Sequence, residues 1–585
     1  MKNAVDSTKL YRIVFILSLV GLLVFILDFG FEQGKILQAS IDGYYFVVLV
    51  AGIGATFLRY FQRLKSIKFK VIVFDVLSLA LLFSVIAVHF FSLGDQTHWF
   101  SLNKENWVKF AIFLTFIREF SELKLDFNRA LLNPAQLFIA SFLAIIFVGS
   151  LLLVLPNATY DGISFLDALF TSTSAVCVTG LAVVDTGSHF TLFGQSIIML
   201  LIQIGGLGIL TFASYFSYFF TGTTSYETQL VLSDITNAQK IGEVFSVLKK
   251  IILITFSIEL VGALLIYYSL DNTLFNNFFD HVFFAAFHAV SAFCNAGFST
   301  FSQSLYEESV RFNYALHLVV IALFVLGGLG FPIVINLLRY ARYLLINRFL
   351  GFSNGQNQYK PWVLHLNSRI NLITTFTLLI VGTMIFFITE FHHTLEGHSW
   401  FGKIVTALFG AATPRTAGFN TVDMSTLNLS TLMLVFLLMW IGASPASTGG
   451  GIKTSTFAIA TLNFLSLARG KNRIEVYRRE IAEISVKRAF AIMSLSLMVI
   501  GFGTFCLAIF DSEKPLLSIA FECFSAYSTV GLSLGVTGDL SPASRFVLIG
   551  IMFVGRVGML SVLIAVFKKE KYNNYRYPSE EITIN

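Results

Sequence analysis

Charge is scarce in this chain of 585 residues: Asp, Glu, Lys and Arg make up 13% of it, against about a quarter in a soluble globular protein. That excludes an ordinary soluble domain. Cysteine is scarcer still. Four cysteines cannot form a secreted disulfide framework in so long a chain, nor do they cluster with histidines at metal-ligand spacing. Cys177 and Cys294 read as small packing residues. Catalytic signatures are missing too. There is no His-Glu-x-x-His, no Gly-x-Ser-x-Gly and no paired intramembrane Asp, so a polytopic membrane enzyme, the rival from another class, has no convergent set of reacting groups. A phosphate-binding loop needs Gly-Lys-Ser/Thr in sequence, and Gly451-Ile452-Lys453 breaks it. What abounds is apolar: 56% of residues are hydrophobic and mean hydropathy is +0.76. The net charge of +6 implies no nucleic-acid partner, because the cations sit in short loops between apolar runs. The chain is expected to be an all-α polytopic membrane protein.

Residues 1–130 carry apolar runs at Ile13–Leu27, Tyr44–Leu58, Val71–Phe91 and Trp107–Ile117. The first reads as a membrane helix rather than a signal peptide, since no small-residue cleavage site follows. The fourth is short against the ~20 residues a span needs. Parity supports it: the basic segments 1–12, 59–70 and 118–129 all face the cytoplasm only if two helices separate each pair. About four extra transmembrane helices are therefore expected before residue 131.

From there four related stretches recur. They are Ser174–Gly187, Ser291–Thr300, Ala411–Asp423 and Ser525–Asp539. Aligned on Gly180, Gly297, Gly418 and Gly531, they are separated by 117, 121 and 113 residues. Six residues before each glycine stand Ser174, Ser291, Ala412 and Ser525; five before stand Ala175, Ala292, Thr413 and Ala526. A long apolar run, a short amphipathic run, the glycine stretch and a second long run repeat four times, over 131–249, 250–367, 368–486 and 487–585. The short run, 13 to 16 residues, cannot span and suits a re-entrant half-helix. Basic loops place the repeat junctions, and both termini, in the cytoplasm, and all four glycine stretches on the outer side.

Non-helical backbone at membrane depth is tolerated where it is buried in protein or lines a water-filled cavity. Carbonyl rings can replace a cation's hydration shell without fixed charge, and half-helices aim their negative C-terminal ends at it. The residues next to the glycines are uncharged: Val178 and Thr179, Asn295 and Ala296, Thr416 and Ala417, Thr529 and Val530. A dehydrated monovalent cation fits better than Ca²⁺ or Mg²⁺, which usually take carboxylates.

These motifs, VTGL, NAGF, TAGF and VGLS, each on a membrane–pore–membrane repeat, resemble the Trk/Ktr/HKT superfamily of potassium transporters over roughly residues 134–567. Residues 1–130 lie outside the usual core and look like an extended form of the extra N-terminal helices of Trk-type members. The resemblance implies four membrane–pore–membrane repeats in pseudo-fourfold arrangement around one pore, with K⁺ bound at the twelve residues Val178–Gly180, Asn295–Gly297, Thr416–Gly418 and Thr529–Gly531. It implies plasma-membrane location, a homodimer, and a cytosolic nucleotide-binding ring protein as regulator. Nucleotide then enters only through that partner, and no covalent cofactor is expected. A Na⁺- or H⁺-coupled symporter on the same scaffold stays open.

Two more features follow. Gly442–Thr456, GASPASTGGGIKTST, interrupts the apolar segment Leu429–Leu465, too long for one span. A cytoplasmic turn is the plain reading; the resemblance implies an intramembrane gating loop, using Gly442, Ser447, Gly449, Gly450, Gly451 and Lys453, with Lys453 bringing positive charge into the permeation path. Arg556 is the only charged residue from Val547 to Val566, a position functional by default; with the resemblance it is expected to be an electrostatic barrier or loop anchor, a purely structural buried cation being the alternative. Arg415 is expected to pair with a carboxylate behind the filter. Asp185, Asp423 and Asp539 read equally as vestibule or solvated loop. His281 and His288 read as packed or hydrogen-bonded. Gly205-Gly206-Leu207-Gly208 and Gly327-Gly328-Leu329-Gly330 read as helix-contact sites, with a hinge as the alternative. The basic inner loops and the C-terminal tail are the expected docking surface for a partner, or for lipid headgroups.

Overall fold

Helix is the only extensive secondary structure in this computed structural model, which describes residues 2–31, 34–63, 69–90, 105–122, 134–208, 244–275, 277–354 and 364–567. Lys124, Arg129, Lys240, Lys360, the end of the first repeat's second run (to Phe220) and the tail from Lys568 lie outside the described residues. Among the described residues five helices are long and apolar enough to cross a membrane, six if one bent pair counts as a span.

Four helices come first: Lys2–Gly30, Lys35–Arg63, Phe69–Val85 with a π turn to Phe90, and Glu105–Glu122. They coincide with the four N-terminal apolar runs. Their ionisable residues are buried in pairs. Lys109 Nζ is 3.0 Å from Asp28, Arg118 Nε is 2.6 Å from Asp75, and Arg59 pairs with Glu119. Tyr45 and Tyr60 donate to Asp28 and Asp75. Pairing is what makes such charges tolerable at membrane depth. The bundle meets the first repeat where Asn157 Nδ2 donates to Phe29 O at 2.9 Å and Phe29 stacks on Phe193, ring centroids 5.2 Å apart.

Each repeat then supplies a first helix, a pore helix and a second helix. The first helices are Pro134–Leu153, Val244–Ser269, Leu366–Glu390 and Glu483–Phe510. The pore helices are Phe165–Cys177, Phe278–Phe293, Trp400–Ala412 and Leu516–Ser528. Two of these start on a serine, Ser164 and Ser399, whose side chain accepts a backbone N–H of the first turn, the usual remedy for unpaired helix-start donors.

The second helices begin at Leu192, Tyr314, Leu429 and Pro542, and none runs unbroken across its apolar stretch. Three stop at Gly208, Gly330 and Gly558, with φ of +76°, +85° and +86°. A positive φ suits glycine and few other residues. At Gly330 the chain turns by 108° into Phe331–Asn354. The glycine-rich runs thus serve both contact and bend. In the third repeat the break is a loop, 441–453, between Leu429–Trp440 and Thr454–Ala468. Thr454–Thr456, expected within the loop, form the first turn of the following helix, where Thr454 Oγ1 donates to Asn371 Oδ1 at 2.6 Å.

Each second helix packs on the pore helix of the next repeat, and the fourth packs on the first pore helix. The four repeats therefore close into a ring. A small antiparallel hairpin, Glu475–Val476 with Arg479–Glu480, in the basic loop after the third repeat departs from the all-α expectation. Tyr477 and Arg478 at positive φ give it the tight two-residue turn that hairpins favour.

Candidate functional site

The glycine stretches meet at the centre of that ring. The test is what a Cβ on each glycine would touch. On Gly180 it would strike Ala296 O, on Gly297 Ala417 O, on Gly418 Val530 O, and on Gly531 Thr179 O. In every case the obstacles include the carbonyl oxygen just before the next repeat's glycine. Four equivalent oxygens are thus brought together in cyclic order. The glycines have φ between +71° and +92°, so a side chain is excluded by conformation as well as by space.

Two positions before each glycine, Val178, Asn295, Thr416 and Thr529 also have positive φ, from +50° to +69°. That region is costly for β-branched residues, roughly 1–3 kcal/mol each. At Val178, Asn295 and Thr529 it persists because these residues close the ends of the pore helices. In repeats one, two and four, their N–H bonds the carbonyl three residues back, and the following N–H reaches five back: Thr179 to Ser174 O, Ala296 to Ser291 O, Val530 to Ser525 O. This resembles the left-handed helix cap usually built on glycine. Pro414 alters the third repeat, where Ala417 N–H bonds Thr413 O.

Pore-helix hydroxyls clamp each strand. Ser174 and Ser525 accept the N–H of Gly180 and Gly531, at 3.0 and 3.1 Å. Ser291 donates to Phe298 O at 2.7 Å. In the third repeat Ala412 has no hydroxyl, and Thr413 donates to Phe419 O instead.

Beneath the ring lies the loop 441–453. Thr448 Oγ1 donates to Asn295 Oδ1 at 2.8 Å. Gly449 and Gly450 are so close to Thr416 Oγ1 and Thr529 Oγ1 that a Cβ on either would collide. Those two hydroxyls are buried with no hydrogen-bond partner among the described residues. Gly442 faces Gly450 across the loop, and Gly451, φ +67°, lies against Ser528. Ser447 Oγ donates to Ser444 O at 2.6 Å. Lys453 Nζ turns back onto Gly449 O and Gly450 O, at 2.6 and 3.4 Å, so its charge is held by the loop's own carbonyls. Arg556 donates to Thr448 O and to Gly205 O, the latter at 2.6 Å. One guanidinium therefore joins the fourth repeat, the loop and the first repeat.

On the other side a cavity of about 570 Å³ opens onto all four glycines. Asp185 and Asp423 line it and also hold their own turns, Asp185 accepting Gly187 N–H at 2.6 Å and Asp423 accepting Ser425 N–H at 2.9 Å. Asp539 is exposed and 3.3 Å from Lys514.

Arg415 departs from expectation. Its Nη1 and Nη2 are 3.3 and 3.4 Å from Thr375 O and Oγ1, and no carboxylate pairs with it among the described residues. The carboxylate on that first helix, Glu390, is occupied at the helix end by Asn428, Thr431 and Thr394. His288 bonds Phe284 O and Ser299 Oγ, and His281 stacks between Tyr267 and Phe275.

Two buried acids were missed. Glu259, behind the second glycine stretch, accepts from Gln203 Nε2 at 3.1 Å and Cys294 Sγ at 3.7 Å. Glu522 sits in the fourth pore helix. Each is the lone charge in its apolar run, which was signal enough. Gly558 was missed because Arg556 breaks the GGLG pattern: it stands where repeats one and two have Gly206 and Gly328.

A family model described as a cation transport protein, TrkH, matches residues 103–576. The match takes in the helix Glu105–Glu122. The chain is 37% identical to the Ktr system potassium uptake protein B of Bacillus subtilis, over 77% of this chain and 96% of that protein. It is 34% identical to the potassium/sodium uptake protein NtpJ of Enterococcus hirae, over 78% and 98%. The crystal structure of the potassium transporter TrkH from Vibrio parahaemolyticus superposes with a TM-score of 0.58 at 18% identity, covering 85% of this chain and 97% of that one.

Proposed function

We propose, starting from the fact that this multi-pass membrane chain belongs to the TrkH family of cation transport proteins, that it takes up K⁺ across the plasma membrane by selective permeation through the four-glycine ring. The observation that carries this is the cyclic meeting of four equivalent carbonyl oxygens with four glycines. Such a ring can replace the hydration shell of a monovalent cation. Thr416 and Thr529 offer unpartnered hydroxyls at its inner mouth, and the outer cavity supplies two carboxylates at its entrance.

The loop 441–453 then acts as the gate, since it lies against three of the four strands and is tethered by Arg556. With the basic loops inside, both termini are cytoplasmic. A homodimer regulated by a cytosolic nucleotide-binding ring protein fits the basic inner surface; nucleotide acts there through the partner. A Na⁺-coupled mode is a second reading, favoured by the name of the Enterococcus relative.

The test is uptake of K⁺, Rb⁺, Na⁺ and Li⁺ into proteoliposomes, with Gly297→Ser beside the unaltered protein. K⁺ and Rb⁺ flux well above Na⁺ and Li⁺, with the preference lost in Gly297→Ser, is the expected result. Equal flux of all four ions, indifferent to the substitution, refutes the filter.

A further inference from the structure

The hydroxyl clamps hold the filter strands at the glycines or at the residue after them. Beyond the glycines the four repeats differ. Glu522 is fully buried in the fourth pore helix, nine residues before Gly531. Its Oε1 accepts from Ser533 Oγ at 2.5 Å and its Oε2 from Thr537 Oγ1 at 2.9 Å. Ser533 Oγ in turn accepts the Gly535 N–H at 2.9 Å. Ser533 and Thr537 line the outer cavity together with Gly531. A carboxylate thus stands behind the cavity wall and ties the pore helix to the strand two residues past its filter glycine.

The second repeat has the same strut in other chemistry. His288 is also nine residues before its glycine, and its Nε2 is 2.9 Å from the hydroxyl of Ser299, again two residues past the glycine. Nδ1 faces Phe284 O at 3.0 Å, so in the neutral ring Nδ1 donates and Nε2 accepts from Ser299. The other two repeats cannot make this strut. Thr171 spends its hydroxyl on Asp167 O of its own helix, opposite Ala182, and Phe409 has no polar atom to offer Asn420. Since the repeats close in the order one, two, three, four, the braced strands stand diagonally opposite.

We infer that Glu522 is a specificity-determining positioning residue: through Ser533 and Thr537 it fixes the outer end of the fourth filter strand, with His288–Ser299 as the diagonal counterpart. The inference rests on the filter reading above. An ionised carboxylate accepts both hydroxyls at once. An amide of the same shape presents N–H groups to one of them, so one of the two hydroxyls must turn from donor to acceptor and the contact is rearranged.

The experiment measures K⁺ and Na⁺ flux separately in proteoliposomes for Glu522→Gln, Ser533→Ala, the double variant and Gly297→Ser. Each single variant is expected to lower the K⁺/Na⁺ ratio about tenfold, the scale of one hydrogen bond to a charged group. The double is expected to lower it no further, because both act on one contact. A mere folding defect lowers both fluxes together and leaves the ratio alone. A ratio within about twofold of the unaltered protein in either folded single variant, or effects that multiply in the double, overturns the inference. Should Glu522→Gln not fold, Ser533→Ala decides. If Gly297→Ser shifts the ratio and these variants do not, the strut is wrong and the filter stands; if none shifts it, both readings fall.

Discussion

Arg556→Gly should open the pathway. The substitution is chosen from the chain itself, because Gly206 and Gly328 occupy the corresponding positions of repeats one and two. The backbone therefore accepts glycine there. What is lost is the tie between Thr448 O and Gly205 O. Hydrogen bonds to a charged group are each worth roughly 1.5–3 kcal/mol, and the loop's hold on the first repeat needs both ends of the guanidinium. Removing one such bond's worth from the closed state raises the open-to-closed ratio roughly 10- to 150-fold. Helix-interior glycine also costs about 1 kcal/mol of global stability, so flux must be normalised to folded protein. The assay is K⁺ flux into proteoliposomes without any cytosolic partner. Arg556→Lys keeps the charge but not the two-pronged reach, and should fall between the two. Flux that stays level or drops in folded Arg556→Gly would refute the tether.

Thr413→Val leaves Phe419 O without its hydroxyl donor, at a cost of about 1–3 kcal/mol; K⁺ preference over Na⁺ should fall, and an unchanged preference would remove this clamp from the filter. Lys109→Met strands Asp28 inside the N-terminal bundle and should destabilise by about 3–5 kcal/mol, while Asp28→Asn with Lys109→Met should recover most of the loss; thermal unfolding in detergent measures both, and an equal loss in the double variant contradicts the pairing. At Asp511, burial alone would raise the carboxyl, but hydrogen bonds from Ser544 and Ser541 outweigh it and hold the group below its ordinary value. A lowered folded value stabilises above the unfolded pKa of about 3.9 and is lost as pH falls below it. Asp511→Asn should therefore unfold at a lower temperature near neutrality, with the difference from the unaltered protein shrinking below about pH 4; a pH-independent difference excludes the carboxylate.

The repeats and the glycines of the central ring were legible because they answer to local rules. A run of 13 to 16 apolar residues is too short to cross, and a glycine that must accept a neighbour's carbonyl has few substitutes. Partners were less legible, because a partner is set by packing between elements far apart in the chain. Arg415 illustrates this. Its charge suggested a carboxylate, yet the helix facing it offers only Thr375. Glu522 and Ser533 are close in sequence, but nothing in their spacing distinguishes a strut from a solvated turn until the pore helix and strand are placed. The direction of the clamps was hidden too: Ser174 accepts where Ser291 donates, with the same residue type at the same position.

All four walls of this ring belong to one polypeptide. In an assembly of identical short chains, any substitution strikes every wall at once, and only linked genes can alter one alone. Here Ser174, Ser291, Thr413 and Ser525 can be removed singly, giving a graded series from four clamps to none at constant molecular size. The same independence applies to heredity. A mutation alters one wall while three stay as they were, and the third wall, with its hydroxyl at Thr413 beside Ala412, differs from the other three in just this way.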